Sequence, residues 1–193
     1  MPTATAILDA ALHAFTEKGY AAATIDDVRE RSGASIGSIY HHFGGKEQLA
    51  AALYVRVLGD YQDGFLAALR GHRRARAGIR AAVVHHVERV RTHPDLARYL
   101  LARSGPEIDR AGGGALRERN RAFFAAVRDW LAPHVAAGAV RDLPLDVLAA
   151  LWIGAAQEWS RHWLEGEAVT PPGRASRLLA DAAWLSLKTE EER

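Results

Sequence analysis

Apolar residues recur along the first fifty positions at the three- and four-residue spacings of short amphipathic helices. The stripe that contains Ala11 and Phe15 predicts a first helix, which closes near Gly19, and Ile25 with Val28 predicts a second. A third stripe, about two helical turns long, comprises Ile36, Ile39, Tyr40 and Phe43. Helices this short need neighbours to be stable, so we expect the three to share one small core.

Helix boundaries in this segment are marked by capping residues. Thr24 and Asp27 have the T-x-x-D spacing of a capping box at the start of the second helix. Gly33 can end that helix in the left-handed conformation, and Ser35 can cap the next one, which stops at Gly44. Two short helices around a tight turn are predicted, which is a helix-turn-helix.

Beyond position 45 every apolar pattern is helical, and none alternates long enough to predict a strand. One stripe predicts a long helix from Lys46 to about Arg70. The run of three glycines at 112–114 predicts a flexible loop between later helices. We therefore expect an all-α chain of about nine helices.

The ordered residues of the first segment resemble the DNA-binding domain of the TetR family of bacterial transcriptional regulators. The matching positions are Ala11, Phe15, Gly19, Thr24, Val28, Gly33, Ser35, Gly37, Ile39, Tyr40, His42, Phe43, Lys46, Glu47 and Leu49. The resemblance implies an N-terminal three-helix helix-turn-helix domain at residues 1–46. It also implies a larger C-terminal helical domain, at residues 47–193, for ligand binding and dimerisation.

Carried over position by position, the resemblance predicts ten DNA-binding residues, with the second helix of the motif in the major groove. Thr24, Tyr40 and Lys46 match positions that contact the DNA backbone. The groove-facing positions are Ile36, Gly37, Ser38 and His41, and the predicted set also includes Ile25, Ser35 and His42.

The orientation of Ile36 is open at this stage. Spacing alone places this residue in the core, whereas the resemblance places it in the groove, where its favourable base contact would be apolar, such as a thymine methyl group. Residues 1–50 carry four Lys or Arg and six Asp or Glu, a net charge of 4 − 6 = −2. We therefore expect few phosphate contacts and a shallow salt dependence of DNA binding.

The resemblance also implies an effector pocket in the second domain, with binding that shifts the long helix from Lys46. The wall is predicted from large, mostly aromatic side chains on inward helix stripes, although each has ordinary core packing as its alternative role. The residues are Tyr61, Phe65, His86, Tyr99, Phe123, Val127, Trp152 and Trp159. Such a lining favours a small, largely apolar or aromatic, uncharged effector.

The helix predicted from Leu145 to about Leu164 is apolar nearly all round, and a second buried face indicates a partner. Leu148, Leu151, Trp152 and Ala155 lie on one side of it, and Ile153, Ala156 and Ser160 lie on another. In the TetR family the last two helices pair with their copies in a four-helix dimer interface. The interface predicted here comprises Ile153, Ala156, Ser160, Trp163, Leu178, Leu179 and Ala182.

Composition narrows the remaining possibilities. The 193 residues include no cysteine, which excludes disulfides and thiolate metal sites, and no apolar run approaches the about 18 residues of a membrane span. The start does not resemble a signal peptide, so a cytoplasmic protein without membrane partners is expected. Glu158 and His162 share a helix face, but a hydrogen-bonded pair explains them better than a metal site. No cofactor and no metal are predicted.

The leading interpretation is a ligand-responsive repressor that binds a palindromic operator in double-stranded DNA as a homodimer. We expect no enzyme activity, because no catalytic motif is present. One alternative is an all-helical ligand-binding protein or enzyme that has lost DNA binding, and another is a transcriptional activator. The effector, the operator sequence and the target genes cannot be read from the sequence.

Overall fold

The computed structural model of the protein describes residues 3–101 and 106–189, with the backbone alone for 106–110. The helices are α1 (Ala4–Ala22), α2 (Ile25–Ser32), α3 (Ile36–Phe43), α4 (Lys46–Arg70), α5 (Ala75–Thr92), α6 (Pro94–Leu101), α7 (Pro106–Ala136), α8 (Leu145–Ala149), a π-helical turn (Ala150–Gly154), α9 (Ala155–Leu164) and α10 (Pro172–Leu187). The stretch 145–164 is continuous, so these ranges hold nine helices and no β-strand, which confirms the predicted all-α fold. No described helix combines the length and the apolar character needed to cross a bilayer.

The chain forms two compact units. The first unit contains Met1–Asp60 and Asp95–Asn120, and the second contains Tyr61–Pro94 and Arg121–Arg193. Helices α4 and α7 each contribute residues to both units. The division into compact units falls after Asp60, within α4, and not after residue 46. The domain boundary at residue 46 therefore stays a prediction.

The first unit has an apolar core built from α1 to α4. Helix α1 is interrupted at Gly19, which has a non-helical φ of 76°, close to the predicted end of that helix. Each of these helices contributes to this core at least one side chain that is fully or nearly fully buried. Its larger members are Ile7, Phe15, Val28, Ile39, Leu49, Leu53 and Val57.

The second unit is organised around the packing of α5 against α10. Small side chains on both helices, including Ala82 and Ala180, are fully buried and allow the two backbones to approach closely. Arg80 of α5 forms an ion pair with Asp181 of α10. The larger buried residues of this core are Phe65, Leu69, Ile79, Val83, Val87, Val127, Leu131, Leu148, Trp152 and Leu187.

The glycine run at 112–114 does not form the predicted loop, because it lies inside α7. Gly112 is buried, and a Cβ atom added there would lie 3.5 Å from the Cβ of Ala51 on α4. Because this is an ordinary van der Waals distance, the segment packs against α4 as a helix, and tertiary packing overrides the low helix propensity of glycine.

Two helical glycines give opposite expectations when replaced by alanine. At Gly78, a Cβ atom would lie 2.4 Å from Cζ2 of Trp130, so Gly78→Ala should lower the free energy of unfolding by about 1–3 kcal/mol. At Gly114 nothing lies within 4 Å, so Gly114→Ala should raise it by about 0.5–1 kcal/mol through helix propensity. Urea denaturation measures both. Equal effects of the two substitutions would contradict the described packing of Trp130.

Candidate nucleic-acid interface and effector core

Reciprocal capping fixes the start of α2. The Oγ1 atom of Thr24 accepts a hydrogen bond from the Asp27 backbone N–H at 3.2 Å, and the Asp27 carboxylate accepts one from the Thr24 N–H at 2.8 Å. Lys18 donates to the same carboxylate at 2.6 Å, and this bond is the main reason why the pKa of Asp27 falls to about 2. Gly33, with a φ of 67°, ends the helix in the left-handed conformation. The predicted capping box and C-cap are present.

Helix α3 is held at eight residues by caps at both ends. The Ser35 hydroxyl accepts a hydrogen bond from the Ser38 N–H at 3.1 Å, and Gly44 closes the helix with a φ of 79°. Ile39 is fully buried and anchors the inner face of α3 to the first-unit core. Once Ile39 points inward, the 100° step per residue determines which side chains of α3 face outward.

The outward face of α3 carries Ile36, Gly37, Tyr40 and His41, all of which are exposed. Ile36 is 43% exposed and Tyr40 is 50% exposed. Ile36 therefore does not belong to the core, in contrast to the expectation from spacing alone. Its position in the first turn explains this, because helical side chains lean toward the N-terminus and away from the packed part of the helix.

The other predicted DNA-binding residues differ in how available they are. Thr24 and Ser35 are exposed, but their hydroxyl oxygens already accept capping hydrogen bonds. Ile25 is half-buried and packs against the first-unit core. Ser38 is half-buried, and His42 is exposed on the flank of α3. The sequence-based set thus mixes outward residues with residues that mainly build the motif.

Every lysine and arginine in residues 3–60 has a partner within the chain. The interactions are Lys18 with Asp27, Arg29 with Asp26, Arg31 with Glu17, Arg56 with Asp9, and Lys46 with the carbonyl oxygen of Ala21. Such exposed pairs contribute little stability, but they reduce the positive charge that a phosphate would meet. The outward face of α3 itself carries no Lys, Arg, Asp or Glu.

Lys46, the first residue of α4, is held against the end of α1. Its Nζ atom donates to the Ala21 carbonyl at 3.1 Å and lies 4.6 Å from the centroid of the Tyr20 ring. The resemblance predicted a phosphate contact for this ammonium group. In the free protein the group is engaged with residues about 25 positions away, which local sequence patterns do not reveal.

A buried polar relay crosses the second unit. The Tyr61 hydroxyl lies 3.0 Å from Nδ1 of His86, and the Ser160 hydroxyl lies 3.3 Å from Nε2 of the same ring. Burial lowers the pKa of His86 to about 4, so its imidazole is neutral at pH 7. A neutral ring has one donor and one acceptor nitrogen, and the two hydroxyls satisfy both. Burial also raises the pKa of Tyr61.

Aromatic side chains surround this relay region of the second-unit core. The Phe65 ring centroid lies 5.5 Å from those of Phe123 and Trp152, and Trp152 donates its indole N–H to the Ile79 carbonyl at 3.0 Å. Seven of the eight predicted wall residues belong to this unit. They are Tyr61, Phe65, His86, Phe123, Val127, Trp152 and Trp159.

Tyr99 does not join them, because it belongs to the first unit. Its hydroxyl donates to the Ala50 carbonyl at 2.9 Å, and its ring stacks on Phe15 with the centroids 6.4 Å apart. Burial raises the pKa of this phenol. Tyr99 therefore packs the core beside the helix-turn-helix, and its place in a predicted pocket wall is corrected.

Comparison with known proteins agrees with the geometry of the first unit. A family model for bacterial regulatory proteins of the tetR family matches residues 7–53. The transcriptional repressor Rv1474c of Mycobacterium tuberculosis is 32% identical over 146 residues, which are 74% of this chain and 72% of that protein. The chain belongs to the TetR family.

Other TetR-family proteins are similar either over a short stretch of sequence or in the fold of nearly the whole chain. The repressor AcnR of Corynebacterium efficiens is 49% identical over 47 residues, which are 24% of this chain and 25% of AcnR. The chain thus spans about a quarter of the length of that relative. A TetR-family structure from Vibrio parahaemolyticus has the same fold, with a TM-score of 0.80, 19% identity, and coverage of 97% of this chain and 99% of that one.

The predicted dimer surface of this TetR-family protein needs correction. Ala156 and Ser160 are 1% and 0% exposed within the single chain, so its own core already covers them. Ile153, Trp163 and Leu179 are half-buried, whereas Leu178 and Ala182 are exposed as predicted. The exposed apolar surface of the last two helices instead comprises Val147, Leu151, Ala155, Leu178, Ala182 and Leu185, and we call it the α8–α10 face.

A π-helical turn explains why the buried side of the helical stretch 145–164 was predicted incorrectly. Leu148, Trp152, Ala156 and Ser160 are all buried, a spacing of four residues over three turns. In a pure α-helix this spacing drifts by 40° per step. The wider turn at Ala150–Gly154 reduces the drift and keeps the four residues on one face. Leu151 and Ala155 consequently point outward, although they share a predicted stripe with the buried Leu148 and Trp152.

The second unit also contains an open cleft that sequence reasoning missed. Its volume is about 390 Å³, and Leu131, Val135, Leu143 and Leu148 contribute to its apolar lining. None of the predicted wall residues lines it. The cleft combines α7 with the 141–148 segment, and no local pattern marks such a pairing.

Carboxylates converge on His162 at the end of α9. Ligand atoms of His162, Glu165 and Glu167 lie within 4.8 Å of one another. Two carboxylates therefore lie close to His162 in addition to Glu158, the only one that the sequence had indicated. The predicted pair of Glu158 with His162 is present at 3.2 Å. Hydrogen bonding to Glu167 raises the pKa of His162. Because the carboxylates are exposed and Arg161 also pairs with Glu158 and Glu165, the cluster is explained as a surface ion-pair network.

The buried relay predicts an acid-sensitive stability. The folded pKa of His86, about 4, lies below the ordinary value of 6.5, so the unfolded chain takes up the proton first. Its contribution is complete above pH 6.5 and is lost as the pH falls toward 4. The free energy of unfolding should drop by about 2 kcal/mol between pH 6.5 and pH 5 because of this group.

Denaturation at several pH values checks this expectation. His86→Gln should flatten the acid limb, with a residual slope from His85, whose pKa burial also lowers. His162→Gln serves as the control, because the raised pKa of His162 has the opposite sign and its removal leaves the acid loss in place. An unchanged acid limb in His86→Gln would show that other groups cause the loss.

Proposed function

We propose that this TetR-family protein is a transcriptional repressor that binds a palindromic operator as a homodimer and is released by a small, largely apolar effector. The observation that carries the proposal is the capped helix α3, which keeps Ile39 buried and presents Ile36, Gly37, Tyr40 and His41 to solvent. A helix held in this way has the form needed to lie in a major groove. We place its action in the cytoplasm, where bacterial DNA lies.

The second unit supports the effector part of the proposal. It gathers aromatic side chains around a buried relay of Tyr61, His86 and Ser160. The indole Nε1 of Trp159 and Nε2 of His85 are buried without a hydrogen-bond partner among the described residues. Buried polar atoms of this kind are uncommon and are often satisfied by a bound molecule. An apolar effector with one or two hydrogen-bonding groups suits this environment.

Continuity of α4 suggests how effector binding reaches the DNA-binding motif. Leu49 and Leu53 of this helix belong to the first-unit core, and Phe65 and Leu69 of the same helix belong to the second-unit core. A change in the packing of Phe65 therefore acts on α4, which is the next helix after α3. To switch the equilibrium fully, the effector must prefer one state by about 10⁴-fold.

The α8–α10 face supports the homodimer. Leu178 is 58% exposed and Leu185 is 63% exposed, and both lie on the side of α10 that the chain leaves uncovered. Exposed apolar side chains on two helices that pack against each other are a feature that often marks a protein interface. A two-fold dimer also matches the symmetry of a palindromic site.

DNA binding is tested with a mobility-shift assay on the intergenic DNA upstream of the protein's own gene. A retarded, competitor-resistant band is expected. Because the cations of residues 3–60 are paired, the slope of log affinity against log salt should be shallow, below about 4 in magnitude for the dimer. A retarded band with a much steeper slope would contradict the charge analysis, and no binding to any duplex would favour a helical ligand-binding protein or enzyme that has lost DNA binding.

Dimerisation is tested by introducing charge into the α8–α10 face. The double substitution Leu178→Glu with Leu185→Glu should convert the dimer to a monomer in sedimentation equilibrium, because like charges would be buried in the contact. Val169→Glu is the matched control, since Val169 is 95% exposed in a loop outside this face. A dimer that tolerates the double substitution would place the interface elsewhere.

Repression and activation share the same DNA-binding geometry, so the direction of regulation rests on transcript levels. A repressor predicts higher transcript levels of neighbouring genes in a strain that lacks the protein. Lower levels would identify an activator instead.

A further inference from the structure

Helix α3 carries the exposed large apolar side chains of residues 3–60. Ile36 is 43% exposed and Tyr40 is 50% exposed, whereas the other large apolar residues in that range are buried or half-buried. Four residues separate the two, so they lie next to each other on the helix surface. Together they form an apolar strip on the surface of α3 that, under the proposed function, faces DNA.

The surroundings of Ile36 limit how this surface can distinguish bases. The other outward residues are Gly37, which has no side chain, Tyr40, which the resemblance assigns to the DNA backbone, and His41. The lysines and arginines of residues 3–60, which would make bidentate contacts to guanine, are engaged within the chain. The Ser35 hydroxyl accepts the capping hydrogen bond of α3. Ile36 itself offers only van der Waals contact.

The major groove offers one apolar group for such contact, the C5 methyl group of thymine. Residues in the first turn of a recognition helix are those that approach base edges. Ile36 is the first residue of α3. We propose that Ile36 is a specificity-determining residue, which selects thymine in each operator half-site by packing against its methyl group. The proposal rests on DNA binding through α3.

This contact has a chemical signature. Replacing thymine by deoxyuridine removes the methyl group and leaves every hydrogen-bonding atom in place. The dissociation constant should rise about fourfold for one half-site and about 15-fold for both, as expected for burial of one methyl group in each. Replacing cytosine by 5-methylcytosine in a cytosine variant of the site should recover most of the affinity, because the proposal assigns the contact to the methyl group and not to the groups at C4.

The test starts from duplexes selected by the full-length protein from a random library. Each thymine is replaced in turn by deoxyuridine, and dissociation constants are measured for the wild type and for Ile36→Ala. At one symmetric pair of positions, the wild type should discriminate thymine from deoxyuridine and Ile36→Ala should bind both equally. Because Ile36 is exposed, the variant should retain the wild-type unfolding midpoint, which circular dichroism checks.

His41→Ala is the matched control on the same face, and it should keep the thymine preference even if its affinity falls. The proposal is overturned if no deoxyuridine position weakens binding, or if Ile36→Ala keeps the wild-type preference. A preference that Ile25→Ala abolishes instead would also overturn it. Failure to select any duplex would reject DNA binding itself, which separates the two proposals.

Discussion

Burial of Ile39 is the constraint on which the DNA-binding surface depends. Helix α3 has only eight residues and cannot persist alone, so it is held by its caps and by this one fully buried side chain in the first-unit core. Because Ser35 and Gly44 fix both ends, the helix cannot rotate or extend without losing a cap or exposing Ile39. The outward positions of Gly37 and His41 follow from that anchor and from the helical period, and Ile36 is exposed because it lies in the first turn of the helix.

The character of the outward face follows from the charges around it. Lys18, Arg31 and Lys46 each have an intramolecular partner, which reduces the positive charge that the motif offers to phosphate groups. A reading surface with little free charge must gain affinity from shape and apolar contact. Polar groups of the second unit also have partners within the chain. There, both ring nitrogens of His86 are hydrogen-bonded inside an aromatic core.

Local rules predicted the helix-turn-helix well, whereas features that depend on distant contacts escaped them. Thr24 with Asp27 and the left-handed Gly33 are short-range signals, and both are present. Gly112 lies inside α7, where it is buried beside Ala51 of α4, a residue 61 positions earlier in the chain. The π turn at Ala150–Gly154, which no residue pattern marked, lies just before the buried Ala156. Tyr99 was assigned to the wrong unit because a helix stripe does not identify the helix against which it packs.

Methyl spectroscopy of the protein–DNA complex tests the central claim most directly. The chain has seven isoleucines, and Ile7 and Ile39 are fully buried, so an isoleucine-labelled sample gives few and separable signals. The account predicts nuclear Overhauser contacts between the δ1 methyl of Ile36 and a thymine methyl in the selected duplex, with the Ile39 signal unchanged by binding. An Ile36 methyl that keeps its free-state shift and shows no contact to DNA, in a saturated complex, would contradict it.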